Sequence, residues 1–405
     1  SVYAAPNCNE SDIGSIQDEV VRVRRHLHSI PELENQEHKT AAFIVDYLRD
    51  KCGIDPSDIR TGVASTGIVA LIQSTVDPNR SCIAIRADMD GLQVHEQPET
   101  AIDYVSQHDG VMHACGHDAH MAMLLVAARL LQASRDTFTG TVKLLFQPAE
   151  EGDGGAARMI EAGALERPHV DSVYGAHIWN YSPSGEIHVS NGPMMGSTDD
   201  FQVKLEGRGG HGAEPQGTTD CGLAVAQLVC QLHTIVSRNV SPLNSAVINI
   251  GTIRSGTCNN AVSDHACVNG TVRYFRDTDR DIVMRRMKDI TEGVATSNDV
   301  KQQFTYKYGY PPTDNKYPAN VSILRKVAAK VVGVDKVHNA KSTMAAEDFS
   351  FFLNARPGCF FFIGSAPNVE PVQVFPHHEK SFRIDENVLI NGVKIWVELA
   401  RTVLV

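Results

Sequence analysis

The run Met112-His113-Ala114-Cys115-Gly116-His117-Asp118-Ala119-His120 gathers three histidines and a cysteine in one short stretch. Imidazole and thiolate both suit zinc-like ions, so this stretch can hold metal, although any one of these residues alone can equally be a packed core side chain. No second Cys/His pair stands at finger-like spacing, which excludes a structural zinc finger. A second chemical signal, Gln147-Pro148-Ala149-Glu150-Glu151-Gly152, follows the apolar run Val142 to Phe146. Catalytic groups of open α/β sheets collect at the carboxyl ends of strands. Two adjacent carboxylates there can divide the work, one binding metal and the other moving protons, whereas an isolated Glu-Glu pair elsewhere is most often an exposed helix start. His177 closes the run Val173 to His177, and the pair His377-His378 stands near the C-terminus. Each signal is weak singly; their joint placement at strand ends is not.

These residues need a scaffold. Ile13, Ile16, Val20, Val23, Leu27 and Ile30 recur at three- and four-residue steps and predict a helix up to Pro31, with a second from Ala41 to Leu48. Gly67 to Ile72, Ser81 to Ala87, Thr141 to Phe146 and Asp171 to Ile178 read as strands, separated by helical segments such as Met121 to Leu131 and Ala156 to Ala162. This alternation predicts an α/β domain with a central, mostly parallel sheet. The pattern changes near Gly192 to Ser197. Phe201 to Leu205 (strand), Cys221 to Val236 (helix), Ala246 to Ile253 and Ala266 to Phe275 (strands), Arg280 to Val294 (helix) and Lys301 to Tyr308 (strand) give a β-α-β-β-α-β order. Thereafter a helix from Val321 to Val332, a strand from Cys359 to Ile363 and a helix from Glu386 to Thr402 are expected. The reading is one catalytic domain, 1–194 and 309–405, interrupted by an inserted ferredoxin-like α+β lid domain, 195–308.

Composition sets limits. The 405 residues are 42% hydrophobic and 21% charged, as in a globular chain of about two domains. No apolar run is long enough to cross a bilayer, and a formal net charge of -11 lacks the basic face that phosphate backbones require, so neither membrane nor nucleic acid is an expected partner. Val2-Tyr3-Ala4 would fit the end of a secretory cleavage site. Of the nine cysteines, eight remain if Cys115 is a metal ligand, an even number compatible with disulfides, and Cys258 and Cys267 could face each other across a hairpin. Export, periplasmic or secreted, is therefore expected over a cytoplasmic location.

The order of motifs over almost the whole chain resembles the aminoacylase and carboxypeptidase superfamily of co-catalytic metallohydrolases, specifically its hippurate hydrolase and auxin-conjugate (IAA-amino-acid) hydrolase branch. The resemblance rests on His26-Leu27-His28-Ser29-Ile30-Pro31-Glu32-Leu33, Arg86-Ala87-Asp88-Met89-Asp90-Gly91-Leu92 and Cys115-Gly116-His117-Asp118. It continues through Gln147 to Glu151, Gly175-Ala176-His177, Gly209-Gly210-His211 and Ala346-Glu347-Asp348-Phe349. It implies a phosphorylase/hydrolase-like catalytic domain in which Cys115, His117, Glu151, His177 and His378 hold two divalent ions, zinc or manganese, with the Cys115 thiolate shared between them. His378 is preferred to His377 by its distance from Phe382-Arg383-Ile384-Asp385-Glu386. The resemblance further implies Glu150 as general base, Asp88 as a residue orienting the ligands, His211 as a lid residue reaching a catalytic centre, its own or that of a partner subunit, and Asn260 with Arg273 as the grip on a substrate carboxylate. A homodimer through the lid follows from the same likeness. Relatives commonly have histidine where this chain has Gln216, alanine where it has Gly212, and proline at the places of Ser263 and Lys380, which bears on substrate preference and lid contacts rather than on the ligands.

The implied activity is hydrolysis of the amide bond of an N-acyl amino acid, with a dipeptidase or carboxypeptidase acting on short peptides as the alternative. A binding protein without chemistry would lack Glu150 or a ligand, and a closed structural metal site would hold one ion without an open position.

Overall fold

The computed structural model describes residues 10–97, 104–367 and 374–405; Cys8 and the Val2-Tyr3-Ala4 segment lie outside them. Two compact units are present. One comprises the chain up to Met194, Asp314–Lys341 and Asp348–Val405, and the other comprises Met195–Thr313 and Ser342–Glu347.

In chain order the strands are β1 (Ile59–Val63), β2 (Gly67–Gln73), β3 (Cys82–Asp88), β4 (Thr141–Gln147), β5 (Ser172–Pro183), β6 (Ile187–His188) and β7 (Gly192–Met195). They continue as β8 (Thr198–Glu206), β9 (Gly210–His211), β10 (Ala246–Ser255), β11 (Ala261–Val262), β12 (His265–Tyr274) and β13 (Lys301–Tyr310). The last are β14 (Thr313–Asn315), β15 (Val337–His338) and β16 (Gly358–Ala366).

The first unit is built on an eight-stranded sheet of order β1-β2-β4-β3-β5-β16-β6-β15. Its centre, β4-β3-β5-β16, is parallel, while β1, β2 and β6 add antiparallel pairings towards the edges. Strands β3 and β4 are buried along their whole length, as parallel strands covered on both faces are. The mixed α/β class with a mostly parallel sheet is thus observed. The helices Glu10–Ser29, His117–Ala133 and Leu389–Val403 pack against one another beside this sheet. Along Glu10–Ser29 the stripe Val20, Val23 and Leu27 is buried, which is why the three- and four-residue spacing was readable.

Helix His117–Ala133 begins four residues before the apolar pattern starts, because its first turn carries His117, Asp118 and His120, all buried, where the pattern leads one to expect surface. The expected helix Cys221 to Val236 is instead two, Cys221–Leu232 and Thr234–Asn239; the Thr234 hydroxyl bonds back to the Gln231 carbonyl at 2.7 Å at the break. Strand β1 is mostly exposed and lacks alternation, so it left no signal in the sequence.

The second unit carries a four-stranded antiparallel sheet of order β10-β12-β8-β13 with the helices Cys221–Leu232, Thr234–Asn239 and Asp277–Ser297. Strand β12 buries every second residue, and Phe201, Val203, Leu205, Leu228, Val268 and Met287 form the core. Strand β10 lies at an edge with Val247 and Ile253 exposed.

The disulfides with which the cysteine count is compatible are not formed among the described residues. All eight described cysteines, Cys258 and Cys267 included, are free thiols, and most are buried as small apolar side chains. Among the described residues no helix is long and apolar enough to cross a membrane.

Candidate metal centre

The segment from Cys115 to His117 enters a helix through Gly116, whose φ of +86° only glycine adopts without strain. A Cβ on Gly116 would lie 2.2 Å from Ile178 Cδ1, so space as well as conformation demands glycine between the thiol and the imidazole. His117 donates its Nδ1–H to the Asp90 carbonyl at 2.9 Å, which turns Nε2 towards the centre. That Nε2 is buried and has no hydrogen-bond partner. On β5, His177 is set the same way: Nδ1–H goes to the Ile178 carbonyl at 2.6 Å, and Nε2 faces Cys115 Sγ at 3.4 Å.

Glu150 and Glu151 sit on the turn that leaves β4. The turn passes through Ala149 in the left-handed region (φ +54°), a conformation costing about 1–2 kcal/mol for a residue with a Cβ. Buried carboxylates hold it there. Asp90 accepts the backbone N–H of Glu150 at 3.1 Å and of Glu151 at 2.9 Å, and Glu37 accepts that of Ala149 at 3.0 Å. The Glu150 and Glu151 side chains then lie 3.9 and 3.8 Å from His117 Nε2.

From the C-terminal segment, His378 adopts φ +65° and donates its backbone N–H to the Ala114 carbonyl at 2.9 Å. Its Nε2 approaches Glu151 Oε1 to 3.2 Å, an ion-pair distance without hydrogen-bond geometry. The preceding His377 points inward instead. Its Nε2 accepts the Asn180 N–H at 3.2 Å and its Nδ1 lies 3.8 Å from Cys115 Sγ.

Cys115, His117 and His177 thus form one group of ligand atoms within 4.8 Å of one another, and Cys115, Glu151 and His378 form another. Both share the Cys115 sulfur. All five residues read from the sequence are brought together, with Glu150 beside them. Sulfur, imidazole and carboxylate are the donor set of zinc-like divalent ions. The local charge fits such ions as well. Burial pushes the Cys115 thiol well above the ordinary range, and Glu151, Glu150 and Asp88 push it the same way. At His117 burial alone would lower the pKa, but Asp88, Asp90 and Glu151 outweigh it and push it up to about 10. His177 is held well below its ordinary value by burial and by His120 and His377, so it presents a neutral ring. The negative charge of Glu150, Glu151, Asp88 and Asp90 that holds protons on Cys115 and His117 would equally be balanced by divalent cations taking the place of those protons.

Behind this centre Asp88 is spanned by Arg86 at 2.5 Å and accepts His120 Nδ1–H at 2.6 Å. His120 Nε2 accepts the Ile178 N–H at 2.9 Å, so both its nitrogens are engaged and it is an orienting residue rather than a ligand. Arg86 also reaches Asp348 at 2.9 Å and Gln147 at 2.8 Å, all buried. Removing one partner from a buried ion pair of this kind typically costs about 3–5 kcal/mol. Sequence reading assigned a role to Asp88 but none of their own to Asp90 and His120.

The second unit holds the remaining three candidates. His211 pairs with Ala261 across β9 and β11, and Gly212 N–H donates to the Asn260 carbonyl at 2.8 Å, so His211 and Asn260 share one groove of about 1090 Å³. Arg273 is half-buried on β12, paired with Val247, and donates to the Met344 carbonyl at 3.3 Å. It does not join Asn260. Asn260 lies just before the start of β12 and Arg273 near its end, which at about 3.3 Å per residue separates them by roughly 25 Å.

The model of peptidase family M20/M25/M40 matches residues 84–402. The chain is 37% identical over 396 residues to an N-acetyl-L-cysteine deacetylase of Bacillus subtilis, covering 98% of this chain and 91% of the relative. It is 35% identical over 395 residues to thermostable carboxypeptidase 1 of Saccharolobus solfataricus, covering 96% and 97%. Among solved structures, a Bacillus subtilis protein described as a dinuclear metal binding peptidase from the M20 family superposes with a TM-score of 0.82 at 31% identity, over 96% of this chain and 99% of that one.

Proposed function

The chain belongs to peptidase family M20/M25/M40, and from that premise we propose that it is a metal-dependent amidohydrolase cleaving N-acyl amino acids to a carboxylic acid and a free amino acid. The observation that carries this reading is the pair of three-donor groups sharing the Cys115 sulfur, with the Glu150 carboxylate alongside. Cys115, His117, Glu151, His177 and His378 would hold two divalent ions, zinc or manganese. When bound, these supply Lewis acidity to water and to the scissile carbonyl. Glu150 takes the water's proton and delivers it to the departing amine, a task for a carboxylate close to the ligands. Asp90 keeps that carboxylate aimed by gripping the backbone of Glu150 and Glu151. His211 donates to the developing oxyanion, and the planar Arg273 fork suits the substrate's carboxylate.

Similarity to a carboxypeptidase favours a second reading, in which the acyl part is itself an amino acid or peptide. N-acetyl and N-benzoyl amino acids assayed beside dipeptides, after chelation and stepwise return of zinc or manganese, test both. Turnover of the acylated substrates that falls away on chelation and returns with metal is expected. Turnover indifferent to chelation would end the proposal, and turnover confined to dipeptides would select the second reading.

We further propose that the ferredoxin-like second unit acts as a lid and dimerisation domain, and that His211 and Asn260 serve the centre of a partner copy. Two features support this: most of β12 separates Arg273 from the segment that carries Asn260, and β10 is a long edge strand with apolar residues exposed. Mixing inactive Arg273→Ala with inactive His211→Ala chains should then restore about one quarter of wild-type activity, since half of randomly paired twofold dimers carry one intact site of two. No recovery would place both residues in the same copy's site.

A further inference from the structure

We propose that His377 is a positioning residue for the Cys115 thiolate: its ring donates an Nδ1–H hydrogen bond to Sγ and thereby tempers how strongly the sulfur donates to the cations it would share. The tautomer follows from the backbone. Asn180 N–H donates to His377 Nε2 at 3.2 Å, and a nitrogen accepting an N–H carries no proton. The single proton of the neutral ring therefore sits on Nδ1, 3.8 Å from Sγ, a long contact that remains within reach of a diffuse sulfur lone pair. The second acceptor facing the ring is the backbone carbonyl of the same cysteine.

The ring cannot swing round to become a ligand itself. Trp179 stacks on it at 5.2 Å and 28°, while Phe382 and Tyr181 close in at 4.9 and 5.7 Å. Adjacent histidines are thus divided by the left-handed turn at His378: one faces the Glu151 carboxylate, the other the sulfur. A Cys115 thiolate holding such cations, with Glu150, Glu151 and Asp88 nearby, would concentrate negative charge. A neutral N–H donor lowers the energy of the sulfur lone pairs without adding a charge that would repel the cations.

This inference rests on the reading of Cys115 as a thiolate ligand, and the test separates the two. The probe is cobalt(II), loaded into the chelated protein, with the near-ultraviolet thiolate-to-cobalt charge-transfer band as readout. The band is expected in the wild type and absent from Cys115→Ser. In His377→Gln, which keeps a polar group towards Asn180, and in His377→Phe, which keeps the ring packing, it should move to longer wavelength. In His377→Asn, whose amide nitrogen can stand where Nδ1 stood, it should return to the wild-type position. A wild type without the band, or a band surviving in Cys115→Ser, overturns the ligand reading itself. A band that depends on Cys115 yet keeps its position in His377→Gln overturns the role of His377 alone, whether or not His377→Phe folds.

Discussion

Replacing Glu150 by glutamine is expected to lower kcat by about 10²–10⁴-fold, the usual contribution of a positioned general acid–base group. The substitution is isosteric and spares the backbone, whose N–H still donates to Asp90 at 3.1 Å, so the turn after β4 keeps its shape. Glu150 is buried and lies 3.9 Å from His117 Nε2, close enough to serve the reacting water yet in neither of the two groups that share the Cys115 sulfur. A purely structural carboxylate would show its loss in the melting temperature and the metal content. A catalytic one leaves both unchanged while turnover collapses, with KM little altered. Equal turnover by the two proteins would remove Glu150 from proton transfer.

Much of this centre was legible because its residues break the rules of the elements that carry them. Buried parallel strands and the buried helix His117–Ala133 should be apolar throughout, so histidines, a cysteine and paired carboxylates at their ends stand out. The three- and four-residue stripe of Glu10–Ser29 was readable because burial of one face leaves a period, and the runs of β2 to β5 because strands covered on both faces read as continuous apolar stretches. What escaped was contact made through the backbone. Asp90 acts on the N–H groups of residues 150 and 151, and His120 on that of Ile178, and no spacing along the chain announces either. The choice of His378 over His377 was made by counting residues. The physical basis, a left-handed turn sending adjacent rings to different partners, exists only in three dimensions. How far apart Asn260 and Arg273 lie within one chain is not legible from their spacing either, since most of an extended strand stands between them. The cysteine count left disulfides open, because buried free thiols satisfy packing as well as bridged ones do.

His177→Ala is expected to have the second large effect. Its ring supplies the Nε2 that faces Cys115 Sγ at 3.4 Å, and without it the group with Cys115 and His117 has two donors left. Loss of an outer hydrogen-bonding partner typically weakens metal binding by about 10–100-fold, and loss of a ligand should exceed that, taking hydrolysis with it. Were His177 only a packed core histidine, the variant would be less stable but would bind metal as before. The second group, Cys115, Glu151 and His378, is left intact by this change, so the variant should still retain one ion.

Counting bound ions per chain after chelation and metal return, by elemental analysis of wild type and His177→Ala side by side, tests the central claim most directly. Two ions per wild-type chain and about one in the variant are predicted, from the two donor groups that share Cys115. A wild type that takes up one ion or none, or a His177→Ala chain that still holds two, would contradict it.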